Sequence, residues 1–447
     1  MKNTIFALVI VGCLLGCAKN EDADVGVPIS EPVTLNGILT LPALKERAAK
    51  LPRVMSDQFQ TRSNQNVEVT SIIPFSNSSF TKVLETVDDG NVGSINNIYV
   101  VEYAKGNGFA IMSADTRLDD VLAYSDNGSF KEAALNPGVQ KFLLNIPDYV
   151  NQRLASYNPL DSLDPGFEYP VDESILVTSS VMESKGPLIP VRWSCYTPFG
   201  NQLGGNTGPT VAAMLQIMCY YGLPASFTLI TSQYPPVYEN IDLDWETYKT
   251  YFLGPILQND PTAVNAISKL AKSIYTGVTE PNSNKEKELE SQSLTKAAST
   301  WPVYGYTSKA SEDNYYMYGV TSDIDSNRPV MVRGYSNKYH NNFDIYTEPS
   351  TWIIDGYKRF YKIYAKYRHW YDVDHNLKRT EFLGYDTITS KYWLHCNWGW
   401  DSRGDGYFLS EVFSPSTPEE SDNLIPFDGK PGQYRYELKQ LTGIRPK

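Results

Sequence analysis

The sequence predicts an α+β protein made of two folded units, on three observations. Helix-period segments come before a strand-rich C-terminal part instead of alternating with it, the order expected of α+β architecture. A small strand-and-helix block stands apart near the front, followed by a stretch rich in Pro, Ser, Asp and Glu. The 447 residues suffice for two or three domains at roughly 100–200 residues each.

The first block starts with Ile98–Val101 and Gly108–Met112, which carry the β-branched and aromatic content of strands. Ser113-Ala114-Asp115 marks a turn. Val121–Tyr124 is a further strand, closed by Asp126-Asn127-Gly128. Pro137 opens a helix in which Val139, Phe142, Leu143 and Ile146 recur at helical spacing, and Pro147 is expected to end or kink it before an apolar stretch running to about Tyr157. Residues 158–186 lack sustained periodicity and read as a linker. The second unit, 187–447, opens around Trp193. A helix follows from Pro209 to about Tyr221, with Val211, Met214, Leu215 and Met218 on one face. Another helix is expected near Ala263–Tyr275. Strands follow at Val330–Val332, Trp352–Ile354, Tyr392–Cys396 and Tyr407–Leu409. Between them Lys358–Leu383, rich in Tyr and Trp, reads as a long hairpin, with Asp372–Asn376 as a solvated loop. No repeats are visible.

The formal net charge of −12 lacks the basic footprint of a nucleic-acid binder. Lys2 followed by the apolar run Ile5–Leu15 is too short to span a bilayer and has the anatomy of an export leader. Its end, Leu14-Leu15-Gly16-Cys17, resembles a lipobox, so residues 1–17 are expected to be a lipoprotein signal and Cys17 the lipidated residue. Acyl chains contribute about 0.8 kcal/mol per buried methylene and would anchor the chain to a membrane. Residues 18–35 then form a tether, and the expected location is an outer membrane or cell surface. Besides Cys13 and Cys17 the chain has Cys195, Cys219 and Cys396, with no zinc-type spacing. No metal or cofactor is expected.

Six runs, in order, resemble the streptopain family of cysteine peptidases. Gly108–Phe130 resembles part of that family's propeptide, giving a propeptide-like domain over 36–157. Pro190–Asn201, Thr207–Pro224, Asn327–Ser336, Thr351–Tyr357 and Leu394–Ser410 resemble its peptidase domain. The resemblance implies a papain-like fold: a helical half and an antiparallel sheet half, preceded by a small α+β domain that covers the catalytic site. Such an enzyme needs a Cys at a helix N-terminus, where the dipole favours the thiolate. It also needs a His to accept the thiol proton, a side chain to orient that His, and a Gln to stabilise the oxyanion.

Laid on this chain, the family pattern puts Pro209 at the Cys position, Ser350 at the His position and Cys195 at the Gln position. Gly208, Met214, Gln216, Ile217 and Met218 match the helix. Trp352, Ile354, Asp355, Gly356 and Tyr357 match the strand after the His, and Asn397, Trp398, Gly399 and Trp400 match the last element. The resemblance therefore implies a catalytically inactive pseudo-peptidase that binds a peptide or protein, or regulates a relative. Trp193, Trp352, Trp398 and Trp400 are candidate ligand contacts, and the propeptide-like domain is an internal partner. An active enzyme with a relocated nucleophile, Cys195 or Cys396, is the alternative. His395 and Cys396 are strand neighbours and should point to opposite faces. A cell-surface adhesion protein using the Lys358–Leu383 excursion is a third reading. Arg403-Gly404-Asp405 is expected to be a turn.

Overall fold

A computed structural model describes residues 38–55, 67–76, 94–155, 169–233, 236–282, 284–341, 343–371, 377–413 and 436–447. The leader, Cys17 and the tether lie outside these residues, as do 158–168 and Asp372–Asn376.

The N-terminal part consists of α1 (Leu41–Met55), β1 (Val69–Ser76), β2 (Ser94–Tyr103), β3 (Phe109–Ser113), β4 (Val121–Ser125) and α2 (Pro137–Ala155). The four strands form an antiparallel meander. α1 and β1 lie outside the expected set. α1 buries Leu44, Ala48, Leu51 and Met55, a face at i, i+4, i+7 and i+11. Its short apolar stripe is interrupted by Lys and Arg and gives a weak signal without the sheet it packs on. α2 corrects the expectation at Pro147: the helix runs on through it to Ala155. Loss of one backbone hydrogen bond is offset by the burial of Ile146, Tyr149 and Val150 on the two sides of that proline.

The C-terminal part contributes α3 (Pro209–Tyr221), α4 (Pro261–Val278), α5 (Leu294–Thr300) and α6 (Met317–Asp325). Its strands include β5 (Tyr169–Lys185), β6 (Ser226–Gln233), β7 (Pro236–Asp242), β8 (Tyr306–Thr307), β9 (Asp313–Asn314), β10 (Val330–Asn341), β11 (Phe343–Tyr371), β12 (Leu377–Asn397), β13 (Gly406–Leu409) and β14 (Tyr436–Leu441). α3 is apolar all round and buried from Thr210 to Cys219, as befits the central helix of a helical half. Gly222, with φ 68°, ends it as a left-handed C-cap.

One sheet runs through both parts, in the order β1-β2-β3-β4-β13-β12-β11-β10-β14. The junction is β4 against β13, with Tyr124 opposite Tyr407 and Ala123 opposite Phe408. A single apolar core follows the same path. Phe109, Ile111, Leu122, Phe142 and Ile146 belong to one cluster with Val332, Trp352, Ile354, Leu394, Trp398 and Phe408. The helical half has a second cluster around Trp193, Met214, Ile217, Leu270 and Trp301.

The expected linker is also corrected. Residues Tyr169–Lys185 form a strand, β5, paired antiparallel with β11 from Tyr357 to Tyr371. Among the described residues, β5 has no neighbour on its other side. An edge strand keeps half its backbone groups in water and tolerates the Ser, Asp and Glu that made the segment read as a linker. The second half of β11 is thus flanked by β5 and β12, and this three-stranded arm contains the Lys358–Leu383 excursion.

Candidate functional site

The helix that would carry a nucleophile begins at Gly208-Pro209. Pro209 occupies the first turn of α3, where a missing N–H leaves no bond unmade. Gly208 has φ 84° and abuts the Gln292 side chain, only 2.3 Å from where a Cβ would stand, so this entry accepts glycine alone. Gln292 Nε2 donates to the Thr207 carbonyl at 2.7 Å. The Thr207 N–H and hydroxyl both donate to the Cys195 carbonyl. Cys195 and Pro209 are thereby brought to one place.

Ser350 lies within β11 opposite Gly334 of β10 and is half-buried, as is Pro209. The two positions are joined through their neighbours. Thr210 Oγ1 and Thr351 Oγ1 lie 2.9 Å apart, buried, and Arg333 Nη1 donates to Thr351 Oγ1 at 3.3 Å. Arg333 is itself buried and donates through Nη2 to the Glu290 carbonyl.

Asn397 is held from three sides. Its Nδ2 donates to Gln216 Oε1 at 2.9 Å and to the Val191 carbonyl at 3.2 Å. Its Oδ1 accepts from the Gly399 N–H. Gln216 Oε1 also accepts from the Trp193 N–H at 3.0 Å. This buried relay fixes the loops of Trp193 and Trp398 relative to α3.

Of the four tryptophans expected as ligand contacts, Trp193, Trp352 and Trp398 are buried, and Trp400 is half-buried with its ring against Tyr196. Trp352 and Trp398 pack together at 5.2 Å. The start of α2 lies on Trp398: a Cβ on Gly138 would stand 2.2 Å from that ring. Asn136 Nδ2 donates to the Arg403 carbonyl, and Ser125 Oγ donates to the Asp405 carbonyl. Of these rings Trp398 carries the N-terminal part directly, Trp352 shares its core cluster, and Trp193 packs inside the helical half.

One pair was not expected. His395 Nδ1 lies 2.6 Å from Asp355 Oδ1, both buried. Asp355 Oδ2 accepts from the Ile189 N–H, and the imidazole packs edge-on to Tyr407 at 5.0 Å. The signal lay in the sequence: Asp355 falls within a matched run, and His395 stands two residues before Asn397. The Cys396 thiol donates to the Leu394 carbonyl instead.

No described thiol bonds to a histidine. Cys195, Cys219 and Cys396 are all free. Desolvation pushes the thiols of buried Cys219 and of partly exposed Cys195 up to about 12, and raises that of buried Cys396 well above the ordinary range. A thiolate needs a nearby positive group or dipole. None of these shifts is reversed by one. Asp405 of the Arg-Gly-Asp run is buried and bonded to Arg192 at 3.1 Å, so its carboxylate faces inward. Among the described residues, no group of three or more His, Cys, Asp and Glu could hold a metal ion.

A buried helix with its N-terminus against antiparallel strands, preceded by a domain that packs on the final aromatic turn, defines the papain-like cysteine-peptidase class with an attached propeptide. Residues 191–408 match the Peptidase C10 family, and residues 48–150 match the Spi protease inhibitor family. The chain thus resembles streptopain-like peptidases over its C-terminal part and their inhibitory propeptide over its N-terminal part. Streptopain of Streptococcus pyogenes is 22% identical over 390 residues, covering 81% of this chain and 84% of the relative. A prointerpain A fragment of Prevotella intermedia covers 79% of this chain and 98% of its own, at 17% identity and TM-score 0.46. Active interpain A covers 58% of this chain and 95% of its own, at 16% identity and TM-score 0.33.

Proposed function

We propose that this protein is a pseudo-peptidase: an exported lipoprotein, anchored through Cys17 at an outer membrane or cell surface, that uses a streptopain-like domain to bind a peptide or protein without cleaving it. One observation carries the reading. Pro209, which has no nucleophilic atom, fills the first turn of α3, the place that the resemblance gives to the thiol; the resemblance gives the base's place to Ser350, and the buried imidazole of His395 is engaged by Asp355. Nucleophile and base act as a unit, so losing both leaves very little residual turnover. The thiol at position 195 is a poor replacement, because desolvation raises its pKa and it bonds to no histidine.

Three measurements test this. The purified chain should release no peptides from casein. An epoxide probe for thiol peptidases should label no cysteine. Radiolabelled palmitate should be incorporated in cells and lost on Cys17→Ala. Casein cleavage that disappears on Cys195→Ser would sink the pseudo-peptidase reading, and membrane retention of Cys17→Ala would sink the anchor.

A further inference from the structure

The three-stranded arm carries a row of aromatic rings that the remnant cleft does not use. On β11, Tyr367, His369 and Tyr371 alternate onto one face. Tyr367 and His369 stack at 6.3 Å, and His369 and Tyr371 follow at 6.4 Å. On β12, Phe382 lies opposite Tyr367, and the rings meet at 5.3 Å.

A bulge adds a fifth ring. The register passes from Phe382 opposite Tyr367 to Gly384 opposite Lys366, leaving Leu383 as the extra residue. Tyr385 therefore joins Phe382 on the same face, 5.1 Å away, instead of alternating from it. Phe382 is 49% exposed and Tyr385 65%; the other three are half-buried.

From this we infer that the arm is a binding platform for a neutral glycan chain. Aromatic faces are electron-rich and attract the polarised C–H bonds on the flat side of a pyranose. The Tyr hydroxyls and the His369–Thr380 pair, 2.9 Å apart, supply polar groups at the ring edges for sugar hydroxyls. Other occupants fit less well. Platforms that stack nucleobases pair their rings with a cationic groove, whereas here Arg379 lies over Trp370 on the opposite face and the chain carries −12. A second copy of the chain would need about 800 Å² per partner. Five rings of about 200 Å² each, two of them about half exposed and three less so, leave roughly 400 Å² open. The inference stands whether or not the remnant cleft binds or cleaves peptides.

The test is a glycan array of neutral and anionic oligosaccharides probed with the full chain, followed by titration calorimetry on the strongest neutral glycan. Neutral glycans should retain the protein. Tyr385→Ala and Phe382→Ala should each weaken binding about tenfold or more, the loss of one ring contact. Tyr385→Phe should stay within about threefold, because it keeps the stacking face. Matching circular dichroism melts show that the variants fold. Capture of no neutral glycan, or capture indifferent to Tyr385→Ala, overturns the inference. So does a dimer in sedimentation that Tyr385→Ala abolishes.

Discussion

At the scale of single residues, Cys195 and His395 are where the proposed inactivity can be tested. The Cys195 thiol sits near 12 because its surroundings disfavour the charged form. At pH 8 roughly one molecule in 10⁴ would be ionised, against roughly a tenth for an unfolded thiol that ionises near 9. Iodoacetamide should therefore label Cys195 in the folded chain about 10³-fold more slowly than in the unfolded chain, with the rate still climbing above pH 11. A rate that levels off below pH 8 would mean an activated thiolate. The same shift has a sign for stability. The unfolded thiol ionises near 9 and the folded one near 12, so the folded state holds its proton longer and stability falls as pH rises between those values. His395 makes a structural prediction. His395→Ala strands the Asp355 carboxylate in the core with one partner fewer, and should lower the unfolding free energy in urea by about 3–5 kcal/mol. Asp355→Asn, which keeps a hydrogen-bonding group there, should lose less, about 1–2 kcal/mol.

Elements hold these residues in place, and the contact between α2 and Trp398 is a close junction of the two parts. Gly138 has no room for a methyl group beside that ring. Gly138→Ala should overpack the contact and destabilise the chain by about 1–3 kcal/mol in a urea titration; an unchanged midpoint would show that α2 does not dock there. This scale also shows what the sequence could and could not convey. α3 was legible because its apolar spacing, its proline at the first turn and its glycine cap all agree. β5 was not, because an edge strand has no obligation to alternate cleanly. The passage of α2 through Pro147 was hidden because burial on both sides overrides a local preference. In the candidate site, flanking motifs drew attention to Pro209, Ser350 and Cys195, and the structure brings Cys195 and Pro209 together through Thr207. Whether Trp193, Trp352 and Trp398 face a ligand or the core could not be, since it depends on what the N-terminal part covers.

Across the whole molecule, the continuous sheet and the shared core decide how far the propeptide domain can be separated from the rest. A releasable inhibitor needs a polar boundary that survives exposure to water. This boundary is built from β4 against β13, Phe142 edge-on to Phe408 at 4.9 Å, and Asn145 Nδ2 bonded to the Val412 carbonyl. A charged cluster adds to it: Tyr149 donates to Asp119 at 2.5 Å, and Lys391 reaches the same carboxylate at 2.6 Å. Parting the two would uncover Leu394, Trp398 and Phe408, each worth about 1.5–3 kcal/mol of burial. Cutting the chain between Ala155 and Tyr169 should therefore leave both pieces together. A protease site inserted there, cleaved to completion, should give two bands on a denaturing gel but one peak in size exclusion, separating only in denaturant. The C-terminal part expressed alone from residue 169 should expose that apolar face and bind a hydrophobic dye or aggregate. If the cleaved pieces instead elute apart in plain buffer, with the C-terminal piece soluble and cooperatively folded, then the core is divisible and the N-terminal domain is a detachable cover.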